Sequence, residues 1–204
     1  NMNEDKLDIS SKIANWATTN VKYIAFGAII GVSIPLFWNY QEHKKEEANI
    51  AASDLYYELI NLANSSEETQ AIADEMFKKH GGSIYETLTK FILSKKEFES
   101  KNFDLAKKYL EEIIESDSNE TYTSLALIKL SLIQIENENY DEALLMLDQV
   151  KMKDSFKQII SEIKGDIYNF KGNKKESLKF YNDALEASAV DNENLMMKRN
   201  SVED

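Results

Sequence analysis

The sequence predicts an all-α fold: a single N-terminal transmembrane helix followed by a solenoid of α-helical hairpins. Three observations carry that expectation. The 204 residues include one Pro and six Gly, so helix breakers are scarce. Residues 23–41 run for nineteen positions without a formal charge. From 84 to 190 a pattern of small and large residues recurs three times.

In chain order, residues 1–20 form a short arm, expected on the cytoplasmic side. Ile9, Ile13, Trp16 and Ala17 fall near one helical face, which suits a short interfacial helix. Residues 21–41 are expected to be a transmembrane signal anchor. Between Lys22 and Glu42 lies an uncharged stretch that would span roughly 28 Å as a helix, close to the ~30 Å hydrocarbon core. Tyr23 stands at one end and Trp38 with Tyr40 at the other, where amphipathic rings favour the headgroup zone. A cleaved signal peptide fits less well, because no small-x-small site follows promptly. Lys6, Lys12 and Lys22 before the span, against Lys44 and Lys45 after it, favour modestly a cytoplasmic N-terminus. Within the span Gly27-Ala-Ile-Ile-Gly31 is a GxxxG pattern that permits close helix approach, in a homodimer or against a helix of a membrane-embedded translocon.

Residues 42–83 read as a helical stem and non-consensus helices. Ala48, Ala52, Leu55, Leu59 and Leu62 make an apolar seam along the first of them. Ser65 and Ser66 look like the cap of a second helix, which Gly81-Gly82 ends. Residues 84–190 hold the three repeats. Ala106, Ala143 and Ser177 share one slot, 37 and then 34 residues apart, and Ser94, Ser131 and Gly165 lie twelve residues before them. Four and seven residues after each slot stand apolar or aromatic residues: Leu110 and Ile113, Leu147 and Val150, then Tyr181 and the smaller Ala184. Small residues there let paired antiparallel helices approach while the large ones fill the gap, and a period near 34 is that of a tetratricopeptide (TPR) repeat. Residues 191–204 form a C-terminal tail.

This layout resembles the YfgM family of ancillary SecYEG translocon subunits. The resemblance is carried by the glycine-bearing span (Gly27, Gly31, then Trp38), Tyr85 opening the first repeat, Phe103 to Leu110, and Lys164 to Ile167. The tail Leu195-Met-Met-Lys-Arg-Asn200 adds to it. Glu97 stands where Tyr is usual, and Lys164 and Ser177 replace the commoner Leu and Ala. The resemblance implies a bacterial inner-membrane protein with a periplasmic domain. It also implies partners in the SecYEG translocon and a PpiD-like periplasmic chaperone, and a role in handing exported chains onward.

Charge and composition exclude other classes. The formal net charge is −12, from 24 Lys and Arg against 36 Asp and Glu. Three acids and three bases precede Glu42, so all of the excess belongs to the domain beyond the span. Such a domain is repelled by anionic headgroups and lacks the cationic surplus that nucleic-acid binding requires. No enzyme is expected, nor any cofactor or metal site: cysteine is absent, and the two histidines, His43 and His80, stand outside any ligand motif. Pairs such as Glu111-Glu112 are splayed around a helix rather than facing one gap.

Protein binding is the expected work. In TPR-like folds the first helix of each hairpin lines a concave face, here drawn from Leu88, Phe91, Phe98, Leu125, Ile128, Leu132 and Ile135. The run Leu125 to Ile135 is apolar nearly all round, so it is either buried on both sides or open to a partner segment. A homo-oligomeric envelope scaffold and a cytoplasm-facing TPR regulator remain the alternative functions.

Overall fold

A computed structural model describes residues 9, 12, 15, 16, 18–62, 66–116 and 119–203, with the backbone alone at 24, 25, 27–29 and 66. The described chain is helical. Its elements are α1 (Val21–Asn61), α2 (Ser66–Lys79), α3 (Ile84–Glu99), α4 (Phe103–Ser116), α5 (Glu120–Glu136), α6 (Tyr140–Asp148), α7 (Lys157–Phe170), α8 (Lys174–Ala187) and α9 (Glu193–Glu203). Contacts divide the chain into two units, Asn1–Asp54 and Leu55–Asp204.

In the first unit α1 continues through Pro35. The described apolar side chains of this stretch, among them Phe26, Val32, Ile34, Leu36, Phe37 and Trp38, are exposed on every side of the helix. Among the described residues no helix is long and apolar enough to cross a membrane. That finding leaves the expected span at 21–41 unsupported by the structure. Five side chains of that stretch, including Ile24 and Ile29, lie outside the described set.

The second unit is a row of hairpins. α3 pairs with α4, α5 with α6, and α7 with α8, while α3 neighbours α5 and α5 neighbours α7. Each hairpin turns in the same way. Lys101, Glu138 and Gly172 take φ of 60°, 61° and 72°, and the next residue is Asn102, Asn139 or Asn173. Each Asn N–H donates back to the first helix (Glu97, Gln134 or Tyr168 carbonyl, 2.8 Å), and its carbonyl accepts from Ala106, Ala143 or Ser177. The left-handed residue closes the first helix and the Asn opens the second.

The small slots make the close approaches. Ala106, Ala143 and Ser177 are fully buried, as are Ser131 and nearly so Ser94. At Gly165 an added Cβ would lie 2.6 Å from Tyr181 Cδ1, so only glycine lets the α8 ring lie against α7. Ser177 Oγ donates to the Gly165 carbonyl at 2.9 Å across the same junction.

The core forms layers along the row. Leu55 and Leu59 from the C-terminal turns of α1, with Leu62 just beyond it, join Ile72, Ala73 and Phe77 of α2 against Leu93 and Tyr109. Phe91, Leu110, Ile113, Ala126, Leu130 and Ile133 make the next layer. Leu127, Ile128, Leu147, Val150, Ile160, Ile163 and Ile167 make the third. The last joins Tyr181 and Ala184 to Leu195 and Val202 of α9. α5 feeds two layers, which explains its all-round apolar sequence: it is buried on both sides.

Caps fix the helix ends. Ser83 accepts from the Glu86 N–H at 3.3 Å while the Glu86 carboxylate accepts from the Gly82 N–H at 2.6 Å, a reciprocal capping arrangement before α3. Gly82, at φ 79°, completes the turn after α2. The cap expected at Ser65 falls outside the described residues.

Candidate functional site

The first helices of the hairpins, α3, α5 and α7, carry the expected binding face, and the structure separates its seven sequence-derived residues. Ile128 is 1% exposed and lies in the third layer, while Phe91 belongs to the second. Leu125 packs against the second layer and Ile135 against the third, both partly buried. Leu88 is half-buried on α3. Phe98 and Leu132 come together at a cleft of about 280 Å³ between α3 and α5. Leu132 is 38% exposed, the most accessible of the seven. Gly31 has open space where a Cβ would stand, and the surroundings of Gly27 lie outside the described residues.

The cleft has an apolar floor of Leu110, Leu132 and Ile133, with Phe98 beside it. Its polar wall holds two cations and one anion: Ser94, Lys95 and Glu99 come from α3, and Lys129 comes from α5. Lys95 Nζ pairs with Glu99 at 3.6 Å, a solvent-exposed contact of small energetic weight. Lys129 is half-buried, and burial first and then the Lys95 charge push its pKa down. A second cleft, about 500 Å³, shares Lys95 and Glu99 and runs on to Tyr56, Ile60 and Ile92. Sequence reasoning missed Lys129; the usable signal was one cation inside the otherwise apolar run Leu125 to Ile135.

The far end of the same face is closed by the chain itself. Lys198 of α9 donates to Glu162 and Asp166 of α7, each at 2.8 Å. The Tyr181 hydroxyl donates to the other Asp166 oxygen at 2.6 Å. Burial, followed by that hydrogen bond, pushes the Tyr181 pKa far above the usual phenol range. For Lys198 burial alone would lower the pKa, but the bonds to Asp166 and Glu162 outweigh it and hold it above the usual value.

Among the described residues no group of three or more acidic or histidine side chains is placed to hold a metal ion. No curated protein matches the chain, and no solved structure does. A family model described as a tetratricopeptide repeat-like domain matches residues 14–204. Such repeats present extended concave surfaces and are typically non-catalytic protein-interaction modules. With hairpin turns, small slots and layered core all in phase, the chain belongs to the tetratricopeptide repeat-like domain family.

Proposed function

We propose that this protein is a membrane-anchored, non-enzymatic adaptor whose concave face binds other proteins. The observation that carries the anchor is the helical stretch 23–41: it is uncharged, and its described apolar side chains face outward in all directions. A water-exposed helix needs a polar face, and this one has none. Eight Ile, Val, Leu and Phe residues lie between 24 and 37. At about −0.3 to −0.6 kcal/mol each, they favour insertion by on the order of 4 kcal/mol. The acidic domain that follows stands off anionic headgroups by repulsion.

The finer reading rests on the resemblance to the YfgM family. It makes the protein an ancillary subunit of the SecYEG translocon, in the bacterial inner membrane, with a cytoplasmic N-terminus and a periplasmic repeat domain. There it would pass exported chains to a PpiD-like chaperone. Alkaline phosphatase fused to the C-terminus tests the topology. Activity supports a periplasmic domain; inactivity in a stable, inserted fusion overturns it in favour of a cytoplasm-facing regulator.

A homo-oligomeric scaffold is the second reading, favoured by the open space at Gly31. Replacing Gly27 and Gly31 together by Ile removes self-cross-links in membranes on that reading and leaves them intact otherwise.

A further inference from the structure

The cleft between α3 and α5 brings two lysines, Lys95 and Lys129, to one apolar surface of this acidic chain. Three buried or partly buried lysines have carboxylate partners: Lys90 has Glu86 and Glu112, Lys164 has Asp148, and Lys198 has Glu162 and Asp166. Lys129 is half-buried, and the charge that acts on it is that of a second cation, Lys95. Among the described residues it makes no ion pair. Partial burial removes some of the ammonium's hydration, and no carboxylate offsets that loss in the free protein. It lies beside the apolar surface of Phe98, Leu110, Leu132 and Ile133.

We propose that this cleft receives an acidic-apolar segment of a partner protein. A carboxylate of the segment pairs with Lys129 and reaches Lys95, and an adjacent large apolar side chain covers Leu132 and Ile133. Three features select that occupant. Charge complementarity calls for an anion at Lys129. The cleft, about 280 Å³, falls just below the ~300–1,000 Å³ of small-molecule sites, so it suits one piece of a longer chain. The adjoining cleft through Lys95 and Glu99 to Tyr56 and Ile60 extends the path in one direction, as a peptide needs. The incoming carboxylate competes with Glu99 for Lys95, but that pair is exposed and weak, so Lys129 dominates. This inference rests on the protein-binding reading of the concave face and is independent of the membrane anchor.

The test is fluorescence anisotropy with the full chain in detergent micelles. The probe is a fluorescein-labelled peptide repeating Asp-Leu-Glu-Phe, amidated at its C-terminus. A second form keeps a free C-terminal carboxylate, and a third replaces every acid by Lys. The acidic peptide is expected to bind at least about tenfold tighter than the lysine form, with affinity falling as salt rises. Lys129→Met is expected to weaken it about tenfold while raising the thermal midpoint of the free protein, because the uncompensated cation is gone. Lys129→Gln gives the same loss without new apolar bulk. Tighter binding of the free-carboxylate form assigns the contact to a chain terminus; equal binding assigns it to side chains. Equal affinity for acidic and lysine peptides, unchanged affinity in folded Lys129→Met, or no acidic binding at about 1 mM overturns the inference. Partner cross-links at Leu132 without acidic-peptide binding would refute this assignment alone. Peptide binding without cellular cross-links would refute the adaptor reading alone.

Discussion

Replacing Gly165 by Ala sets two effects of opposite sign against each other. Gly165 lies inside α7 with ordinary helical backbone, where Ala is worth about 1 kcal/mol more than Gly. The new Cβ, however, would stand 2.6 Å from Tyr181 Cδ1 and 2.7 Å from Cε1. The ring cannot swing aside freely: it is 2% exposed, and its hydroxyl is held by Asp166 at 2.6 Å. Overpacking of a closed core costs about 1–3 kcal/mol, here near the upper end, and displacing the hydroxyl adds about 1 kcal/mol. The net expectation is destabilisation by about 2–3 kcal/mol, a fall of about 4–12 °C in thermal midpoint for a chain of this size. Thermal unfolding followed by circular dichroism reads it. In a Tyr181→Leu background the overlap is relieved, so the same Gly165→Ala change becomes neutral or stabilising. A Gly165→Ala protein more stable than wild type would refute the close-approach argument.

Lys101 and Glu138 occupy left-handed backbone that costs a side chain about 1–2 kcal/mol. Changing each to Gly is expected to stabilise by about 0.5 kcal/mol after the entropic cost of glycine, read by urea unfolding. Leu195 is fully buried where α9 meets α8, so Leu195→Ala costs about 3 kcal/mol and speeds amide exchange through residues 193–203. Tyr181 and Lys198 both hold their protons more tightly when folded than when unfolded. Above about pH 10 the native state therefore binds more protons than the unfolded chain, and stability falls as pH rises. Their contribution is complete below the unfolded values and lost as pH climbs through the raised ones. Lys198→Met is expected to flatten the alkaline slope of the thermal midpoint; an unchanged slope would dissociate the tail contact from it.

The repeat register was legible because close packing restricts residue size. Ala106, Ala143 and Ser177 had to be small, and their spacing alone located three hairpins. The turns were harder to see, since the left-handed position holds Gly only at 172; the in-phase signal was Asn102, Asn139 and Asn173. The concave face was less legible still. α5 is apolar all round, and periodicity cannot say which of Ile128 and Leu132 faces the neighbouring layer and which faces the cleft. Burial in two layers decided it. Lys129 was invisible as a site for a related reason: a single lysine in a helix reads as a solvent face until its neighbours are placed. The tail was read as part of a layout, but its seat on α7 and α8 depends on Lys198 meeting two carboxylates four residues apart, Glu162 and Asp166.

The proposed adaptor role turns on protein binding at the face between α3 and α5. Site-specific photo-cross-linking in cells, from Leu132 on that face and from exposed Lys108 on α4 as a control, tests it most directly. Discrete covalent adducts to other proteins are expected from Leu132, identified by mass spectrometry, and none from Lys108. Equal adducts from both positions, or none from Leu132 in a folded, membrane-inserted protein, would contradict it.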